Sequence, residues 1–389
     1  MATTYHILVI GGGATGAALA HDLTLRGPMK VTLVERGELT SGTSGRHHGL
    51  LHSGGRYAVN DKESAVECIE ENQILRRIAP GSFEENDGLF VAIDDEDVAY
   101  KDKFMAGCEE CGIPARELTG PEVLRLEPHV NPKVKLAVRV PDATMDCWRV
   151  PMRFFATAKR NGADIRPYNE VIDILRQGDT VTGARIRSHV DGKEYDIHSD
   201  LVINATGAWG GKLSEMAGVG VSVRPTPGVM VAVRGRWCHM VVNRLNKPGD
   251  GDIIVPQRAL SVIGTTSWHV EDPDRLGLPE DHIQRMYEKG AELIPAVKNA
   301  PMRAAWSAAR PLLASKEPSD EREISRTFKA IDHRDRDGVE GILTITGGKG
   351  TTMRAMAELT SDLLVRKLGV DAPCRTRETE LLPYWAYYD

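Results

Sequence analysis

Three glycines near the start of the chain have the spacing of a site for nucleotide phosphates. Gly11, Gly13 and Gly16 follow a short apolar run, and Glu35 comes 19 residues after Gly16. In such a unit the glycines permit a tight turn, a close approach of the backbone to a pyrophosphate, and close packing of helix on strand. The helix N-terminus attracts the phosphates, and the acid accepts hydrogen bonds from a ribose diol. The spacing therefore predicts a dinucleotide site.

The elements that must position these residues lie on either side of the glycines. Residues 6–10 are apolar and rich in β-branched side chains, which is typical of a buried parallel strand. The stretch 17–26 has helical character and stops at Gly27-Pro28, and residues 30–35 have the pattern of a second strand. Strand, helix and strand make a complete βαβ unit.

Two later turns favour FAD over NAD, a choice that the glycine spacing alone leaves open. One turn is Ala205-Thr206-Gly207 at the end of a strand, and the other is Gly347-Gly348-Lys349-Gly350 at the start of a C-terminal helix. The second helix start would place N–H groups against the flavin O2, where negative charge collects in the reduced flavin. A simple nicotinamide dehydrogenase needs neither element.

The composition indicates a globular protein of one large or two ordinary domains. The 389 residues are 41% hydrophobic and 27% charged. The formal net charge of -6 argues against a nucleic-acid binder, which usually has a basic balance. No stretch approaches about 18 consecutive apolar residues, and the N-terminus lacks a signal-peptide pattern. We therefore expect no transmembrane helix and a cytoplasmic protein.

The six cysteines are scattered, and we expect reduced thiols rather than metal ligands. Cys108 and Cys111 form a C-x-x-C in a helix-like stretch, but no second pair completes a zinc or iron–sulfur site. We interpret them as two ordinary helix cysteines and predict no metal.

The order of strands and helices predicts an α/β fold with two domains. We expect a Rossmann-type FAD-binding domain and a second, α+β substrate domain built on a mixed or antiparallel sheet. The FAD-binding domain is discontinuous because the turns that favour FAD lie in the middle and at the end of the chain. Its predicted segments are 1–85, 150–220 and 335–372, the substrate domain takes 86–149 and 221–334, and 373–389 is an aromatic tail that packs on the body or on a partner.

Several further motifs resemble the FAD-dependent glycerol-3-phosphate dehydrogenases, a family within the D-amino-acid-oxidase-like flavoproteins. The resemblance covers nearly the whole chain and is strongest to the large catalytic subunit of the bacterial anaerobic enzyme. The matching stretches are Ser44–Tyr57, Glu71–Leu75, Val202–Trp209, Ile263–Ser267, Ala309–Leu313 and Ile345–Lys349.

This resemblance implies FAD as the cofactor and assigns its contacts. The fingerprint would hold the ADP half, the loop after the second strand would line the pyrophosphate and the isoalloxazine, and the turn before the last helix would face the flavin ring. The implied cofactor-binding residues are Gly11, Gly13, Ala14, Thr15, Gly16, Glu35, Arg36, Thr40, Ser41, Ser44, His48, Gly49, Val171, Ala205, Gly207, Gly348, Lys349, Gly350 and Thr351.

The resemblance also implies a small anionic substrate, bound by Arg56, Tyr57, Arg310, Arg326 and Lys349. An arginine presents a planar fork that binds a phosphate with two hydrogen bonds. Any single arginine could instead pair with one of the 55 acidic residues. The implied reaction oxidises a secondary hydroxyl, converting sn-glycerol 3-phosphate to dihydroxyacetone phosphate by hydride transfer to FAD N5. Arg310 and Lys349 are also candidate catalytic residues.

We predict His52 as the base that removes the hydroxyl proton, since an imidazole titrates near neutral pH. A hydrogen-bonding or flavin-packing role for His52 is the alternative. His48 is the second choice for the base, and we expect His47 to face outward. Some family members have a histidine after the second flavin strand, whereas residues 226–230 here contain none.

Departures from the family pattern leave the substrate open. After Gly-Gly-Lys the family usually has a large apolar residue and then a tyrosine, whereas this chain has Gly350 and Met353, which would reshape the pocket near the flavin. The substrate could be another polyol phosphate. Alternatively, the chain is an FAD-dependent oxidase or dehydrogenase of a 2-hydroxy acid or amino acid, or a flavin-binding subunit whose partner does the chemistry.

The electron acceptor is also open. Family members commonly continue with a helical domain or a cysteine-bearing iron–sulfur region, and no four-cysteine cluster is present here. We expect electrons to leave through a partner subunit, a quinone, a soluble carrier or oxygen. Without an obvious amphipathic anchor, we expect a cytoplasmic protein that associates at most peripherally with the inner face of the membrane. The sequence leaves a homo-oligomer open.

Overall fold

The computed structural model describes residues 4–313 and 327–389. Over these residues the α-helices are α1 (Ala14–Thr24), α2 (Lys62–Ile78), α3 (Asp95–Glu110), α4 (Gly120–Leu126), α5 (Arg149–Arg160), α6 (Gly210–Met216), α7 (Glu280–Leu293), α8 (His333–Asp337) and α9 (Met353–Leu368). Short 3₁₀ turns cover Thr43–Gly45, Gly55–Tyr57, Gly207–Trp209, Pro295–Asn299, Gly350–Thr352 and Tyr384–Tyr387.

The strands over the same ranges are short and numerous. They are β1 (Tyr5–Ile10), β2 (Met29–Val34), β3 (Leu50–Leu51), β4 (Phe83–Glu84), β5 (Gly88–Ala92), β6 (Arg116–Thr119), β7 (Leu136–Val140), β8 (Ala143–Met145), β9 (Asp164–Arg166), β10 (Asn169–Gln177), β11 (Thr180–Ser188), β12 (Glu194–His198), β13 (Leu201–Asn204), β14 (Val223–Arg234), β15 (Val241–Arg244), β16 (Ile253–Gln257), β17 (Leu260–Gly264), β18 (Met302–Leu313), β19 (Phe328–Asp332) and β20 (Ile342–Gly347).

A six-stranded sheet carries the glycine fingerprint. Its order is β19-β20-β13-β1-β2-β9, and every pair is parallel except β19 with β20. Ile10 of β1 lies opposite Val34 of β2 and Asn204 of β13, so these three strands end at one edge of the sheet. The predicted βαβ unit is confirmed as β1, α1 and β2.

An eight-stranded sheet forms the second half of the molecule. Its order is β18-β14-β17-β16-β15-β5-β7-β6, with β5 and β15 parallel and the other pairs antiparallel. α7 packs its buried residues into the core on this sheet. A Rossmann-type sheet beside a mixed, largely antiparallel sheet confirms the predicted fold class.

Sheet membership follows the predicted division into domains in part. β1, β2, β13 and β20 come from the predicted FAD-binding segments, and the eight-stranded sheet from the predicted substrate segments. β19 joins the six-stranded sheet, although residues 328–332 precede the predicted boundary at 335. Two three-stranded sheets, β10-β11-β12 and β3-β8-β4, complete the strands described. The boundaries themselves stay a prediction.

Helix α1 is buried between its neighbours and the parallel sheet. Leu19 and Leu23 are fully buried in the same core as Phe154 of α5 and Leu364 of α9. The fully buried Arg26, just after α1, donates to Asp22 at 2.7 Å and to Asp362 of α9 at 2.6 Å. These contacts fix the helix that begins directly after the fingerprint glycines Gly11 and Gly13.

The aromatic tail packs on α5. Arg149 lies 4.7 Å over the Tyr384 ring, and the Tyr387 ring is 6.4 Å from the Phe155 ring. In the part of the chain that the structure describes, no helix is long and apolar enough to cross a membrane.

Candidate active site

A cavity of about 780 Å³ lies at the ends of the parallel strands. Ile10, Val34 and Ala205 line it at or just after the ends of β1, β2 and β13. Open α/β sheets bind ligands at this edge. The predicted site residues that line it are Gly11, Gly13, Ala14, Thr15, Glu35, Arg36, Ser41, Ser44, His48, His52, Arg56, Tyr57, Val171, Ala205, Gly207, Arg310, Gly348, Lys349 and Gly350.

Four other predicted residues support the cavity from behind without lining it. Gly16 and Thr40 are buried beside the fingerprint turn, where the Thr40 N–H donates to the Gly12 carbonyl at 2.8 Å. Thr351 is buried, and its hydroxyl accepts a hydrogen bond from the His52 N–H at 3.1 Å. The fourth residue, Gly49, lies against Gln257. Arg326, the last predicted site residue, falls outside the described residues.

The fingerprint glycines are required by close backbone contacts. A Cβ on Gly16 would lie 1.9 Å from the Gly11 carbonyl oxygen, and a Cβ on Gly11 would lie 2.7 Å from the Ala205 carbonyl oxygen. Gly11 also has φ of 112°, a conformation that glycine adopts without strain. Gly13 stands at the N-cap of α1 with no side-chain cap, and the Ala14 N–H donates to Ser44 Oγ at 2.8 Å. This helix start fits a pyrophosphate.

Glu35 is held in one orientation at the end of β2. One carboxylate oxygen accepts from the Gly12 N–H at 2.7 Å and the other from the Gly37 N–H at 2.8 Å. Since Glu35 also lines the cavity, its remaining lone pairs can accept from a ribose diol. The turn, the helix start and the carboxylate together fit FAD.

A cluster beyond Glu35 joins the two halves of the molecule over the cavity. The Arg36 guanidinium stacks on Trp209 at 4.7 Å and pairs with Asp274 at 2.6 Å. Trp209 Nε1 and Lys212 Nζ also donate to Asp274, each at 2.8 Å. Burial opposes ionisation of Asp274, but the donors from Arg36, Lys212 and Trp209 prevail and lower its pKa. Lys212 and Asp274 carried no signal in the sequence, because their contact spans 62 residues.

Three histidine rings and a tyrosine follow one another along the cavity wall. Ring centroids are 6.2 Å apart for His47 and His48, 6.1 Å for His48 and His52, and 5.4 Å for His52 and Tyr57. Burial lowers the pKa of His47 to about 4. Burial, together with the neighbouring His52, His47 and the arginines, holds the pKa of His48 well below its usual value. Both rings are therefore neutral near pH 7.

The expectation that His47 faces outward is wrong. His47 lines the cavity, because its Nδ1 accepts a hydrogen bond from the Gly49 N–H at 3.0 Å and the ring folds back over the turn. Gly350 makes room for it, since a Cβ there would lie 3.1 Å from His47 Nε2. Met353, expected to shape the pocket, instead packs in the core and does not line the cavity.

Three cations from distant segments line the same cavity. The Arg310 guanidinium donates to the carbonyl oxygens of Pro227 and Thr266, each at 3.3 Å, and to the Thr265 hydroxyl. The Arg56 guanidinium donates to the Gly249 carbonyl at 3.2 Å. Lys349 Nζ pairs with a glutamate of α2 at 3.0 Å. These contacts orient the three cations in the cavity wall.

Several residues that line the cavity carried no signal in the sequence. Lys247, Pro248 and Ile253 line the cavity from the eight-stranded half, and Asn60 and Asp61 line it beside α2. No motif marks them, because only the tertiary fold brings them to the cavity.

The cysteines that form the C-x-x-C motif are thiols in the structure. Cys108 and Cys111 are free and buried in and just after α3. Among residues 4–313 and 327–389 no group of three or more histidine, cysteine or acidic side chains is arranged to hold a metal ion.

Comparison with known proteins gives a family and close relatives. Residues 6–363 match the family of FAD-dependent oxidoreductases. The A1 subunit of anaerobic glycerol-3-phosphate dehydrogenase from Haloferax volcanii is 45% identical over 392 residues, which cover 96% of this chain and 66% of that protein. The corresponding subunit of the Escherichia coli K12 enzyme is 41% identical over 377 residues, covering 96% and 69%. The chain thus spans about two thirds of the length of these relatives.

Solved structures share the fold at lower identity. Glycine oxidase from Bacillus cereus superposes with a TM-score of 0.74 at 23% identity, covering 94% of this chain and 98% of that one. Glycerol-3-phosphate dehydrogenase from Bacillus halodurans, solved with FAD, gives 0.73 at 23% identity, covering 97% and 68%. Both structures have the architecture described above.

Proposed function

This chain belongs to the family of FAD-dependent oxidoreductases, and from that premise we propose that it oxidises the secondary hydroxyl of sn-glycerol 3-phosphate to give dihydroxyacetone phosphate. The observation that carries the proposal is the convergence of Arg56, Arg310 and Lys349 on the cavity wall that also holds His52. The names of the relatives, which are subunits of anaerobic glycerol-3-phosphate dehydrogenases, agree with it.

The cations would bind the phosphate of the substrate. The carbonyl oxygens of Pro227 and Thr266 orient the Arg310 guanidinium at the cavity wall, and a planar guanidinium can bind a phosphate with two hydrogen bonds. Arg56 lies 3.7 Å from Asp252, and it is 11% exposed at the cavity. Tyr57, between His52 and Lys349, would pack against the substrate carbon chain. With its phosphate bound to these cations, the substrate would have its secondary hydroxyl near the histidines.

The proton of that hydroxyl would go to His52. Its backbone is fixed on both sides, since its N–H donates to Thr351 Oγ1 and its carbonyl accepts from Asn72 Nδ2 at 3.1 Å. His48, held neutral by burial, would accept a hydrogen bond rather than add positive charge beside the base. The fingerprint, Glu35 and the turn at residues 348–350 would hold FAD, which would supply the acceptor for the hydride that leaves the substrate carbon.

We also propose that electrons pass on to a partner subunit or to a quinone. The relatives are named as subunits of an enzyme, which supports a further polypeptide in the assembly. If a quinone accepts the electrons, the chain works in the cytoplasm at the inner face of the membrane.

A substrate panel with an artificial electron acceptor tests the proposal. We expect glycerol 3-phosphate to be oxidised far faster than glycerol, 2-hydroxyglutarate or glycine. Arg310→Met lowers kcat/KM for glycerol 3-phosphate by about 100-fold, as loss of charged hydrogen bonds predicts, and changes turnover of glycerol little. Arg275→Met, at a side chain that is 87% exposed, is the matched control. Faster oxidation of the hydroxy acid or of glycine would replace the proposal by the alternative substrate class.

A further inference from the structure

Lys349 lies in the wall between two cavities. Its side chain is only 6% exposed, and it lines the cavity of the candidate active site. On its other side, Nζ lies 3.0 Å from Glu67 Oε2. Glu67 lines a second cavity, of about 460 Å³, together with exposed residues of α2 such as Glu63 and Glu70. The ion pair therefore connects the active-site cavity to an outer pocket.

A buried ammonium is costly unless opposite charge or polarisable groups face it. The Tyr57 ring lies 5.3 Å from Lys349 Nζ, on the active-site side. Cys68 and Glu67 of α2 face it from the other side. Two residues after Lys349, the Thr351 hydroxyl accepts a hydrogen bond from the His52 N–H. Among these groups Glu67 provides the carboxylate that can balance the ammonium.

The direction of the pKa shifts agrees with this geometry. Burial lowers the pKa of Lys349, but Cys68, Tyr57 and Glu67 together outweigh it and raise the pKa above the usual value. Burial raises the pKa of Glu67 while Lys349 lowers it, and the nearby carboxylates of Glu63 and Asp61 raise it further. Lys349 thus stays charged as an anion-binding group.

We infer that Glu67 is a positioning residue for Lys349: from the outer pocket it fixes the ammonium in the wall and keeps it charged, so that Lys349 can bind the anionic group of a substrate in the active-site cavity. The inference rests on the proposed function only in taking the substrate to be anionic. Lys349 lies at the start of the turn before α9, and Glu67 is the sixth residue of α2. Through Glu67, which does not itself line the active-site cavity, α2 therefore helps to keep Lys349 positively charged.

The test uses the FAD-loaded protein in its oxidised form and sulfate as the probe, because the charge of sulfate does not change with pH. At each of several pH values from neutral to alkaline, the affinity for sulfate is measured from the change that sulfate causes in the visible flavin spectrum. In the wild type, the affinity for sulfate falls as the pH rises, and the pH at the midpoint of this fall reports loss of the Lys349 proton. Glu67→Gln shifts this midpoint to lower pH by about one unit, which is a tenfold change in the protonation equilibrium. Lys349→Met abolishes the alkaline limb.

Two further variants complete the design. Glu70→Gln removes a carboxylate from the same outer pocket and leaves the midpoint at the wild-type value. Glu67→Asp shortens the side chain and gives a smaller shift in the same direction, so it carries the test if Glu67→Gln does not fold. A wild-type midpoint in Glu67→Gln, or in Glu67→Asp where that variant carries the test, overturns the inference, as does an alkaline limb that persists in Lys349→Met.

Replacing sulfate by glycerol 3-phosphate separates this inference from the proposed function. If glycerol 3-phosphate leaves the flavin oxidised while sulfate shows the predicted midpoints, the proposed substrate is wrong and the role of Glu67 stands. If glycerol 3-phosphate reduces the flavin while the sulfate midpoints do not move, the role of Glu67 is wrong and the substrate stands.

Discussion

Gly16 offers the most local prediction about the cofactor. Gly16→Ala would place a methyl group 1.9 Å from the Gly11 carbonyl oxygen, and only a shift of the turn relieves that contact. Because this turn leads into the helix start whose N–H groups would face a bound pyrophosphate, we expect the purified variant to lose most of its FAD. The measurement is the ratio of flavin to protein absorbance after purification.

Gly211 provides a matched control for this glycine. It lies inside α6, and a Cβ there would be 3.6 Å from the nearest backbone oxygen, an ordinary contact. Gly211→Ala should retain full FAD, since alanine also favours a helix. Equal FAD content in the two variants would contradict the assigned role of Gly16.

The role of His52 as the base that removes the hydroxyl proton can be tested by mutation. We expect His52→Ala to bind FAD normally and to lower kcat by about 100-fold or more, the usual contribution of a general base. Steady-state turnover with glycerol 3-phosphate measures it, and His129→Ala, at an exposed histidine, is the control. Turnover close to that of the wild type in His52→Ala would remove His52 from this role.

Single residues differ in how far the sequence reveals them. The spacing of Gly11, Gly13 and Gly16 could be recognised in the sequence because all three lie within six consecutive residues. The prediction that His47 faces outward was wrong, because the orientation of its ring depends on a hydrogen bond from the Gly49 backbone that no sequence pattern signals. Glu67 could not be predicted as a partner of Lys349, since 282 residues separate the two.

At the scale of elements, α1 and its neighbours could be predicted, whereas strand pairings were harder to predict. Apolar runs bounded by glycines predicted β1, α1 and β2, and the structure confirms them. The pairing of the edge strand β19 with β20 could not be predicted, because it depends on tertiary contacts and not on the pattern of residues 328–332.

The burial of α1 gives a prediction about pH. His21 is fully buried against Phe154 with ring centroids 5.6 Å apart, and burial lowers its pKa to about 4. Within the described chain neither ring nitrogen has a hydrogen-bond partner. The unfolded chain binds a proton at about pH 6.5 whereas the folded chain does not until about pH 4, so stability falls as pH drops through this window.

The variant His21→Leu removes this proton uptake. From pH 7 to pH 4.5 we expect the wild type to lose about 2–3 kcal/mol of unfolding free energy more than His21→Leu does. Urea unfolding at each pH measures the difference, and His129→Leu should follow the wild type. Parallel pH profiles of wild type and His21→Leu would contradict a neutral, buried His21.

At the scale of the whole molecule, the cavity belongs to neither sheet alone. The six-stranded sheet provides the turn and helix start for the nucleotide, and the eight-stranded half brings Arg310 and residues 247–253 to the same space. Motifs and resemblance predicted most of the nucleotide wall. On the opposite wall, the resemblance pointed to Arg310, whereas Lys247 and Asp274 come to the cavity through long-range packing and could not be predicted from the sequence.

Anaerobic mixing of the oxidised, FAD-loaded protein with glycerol 3-phosphate tests the central claim most directly. We predict that the visible flavin band bleaches within one turnover and that one equivalent of dihydroxyacetone phosphate forms per flavin, while glycerol, 2-hydroxyglutarate and glycine leave the band unchanged. A flavin that stays oxidised with glycerol 3-phosphate, or that bleaches with the hydroxy acid or the amino acid instead, would contradict it.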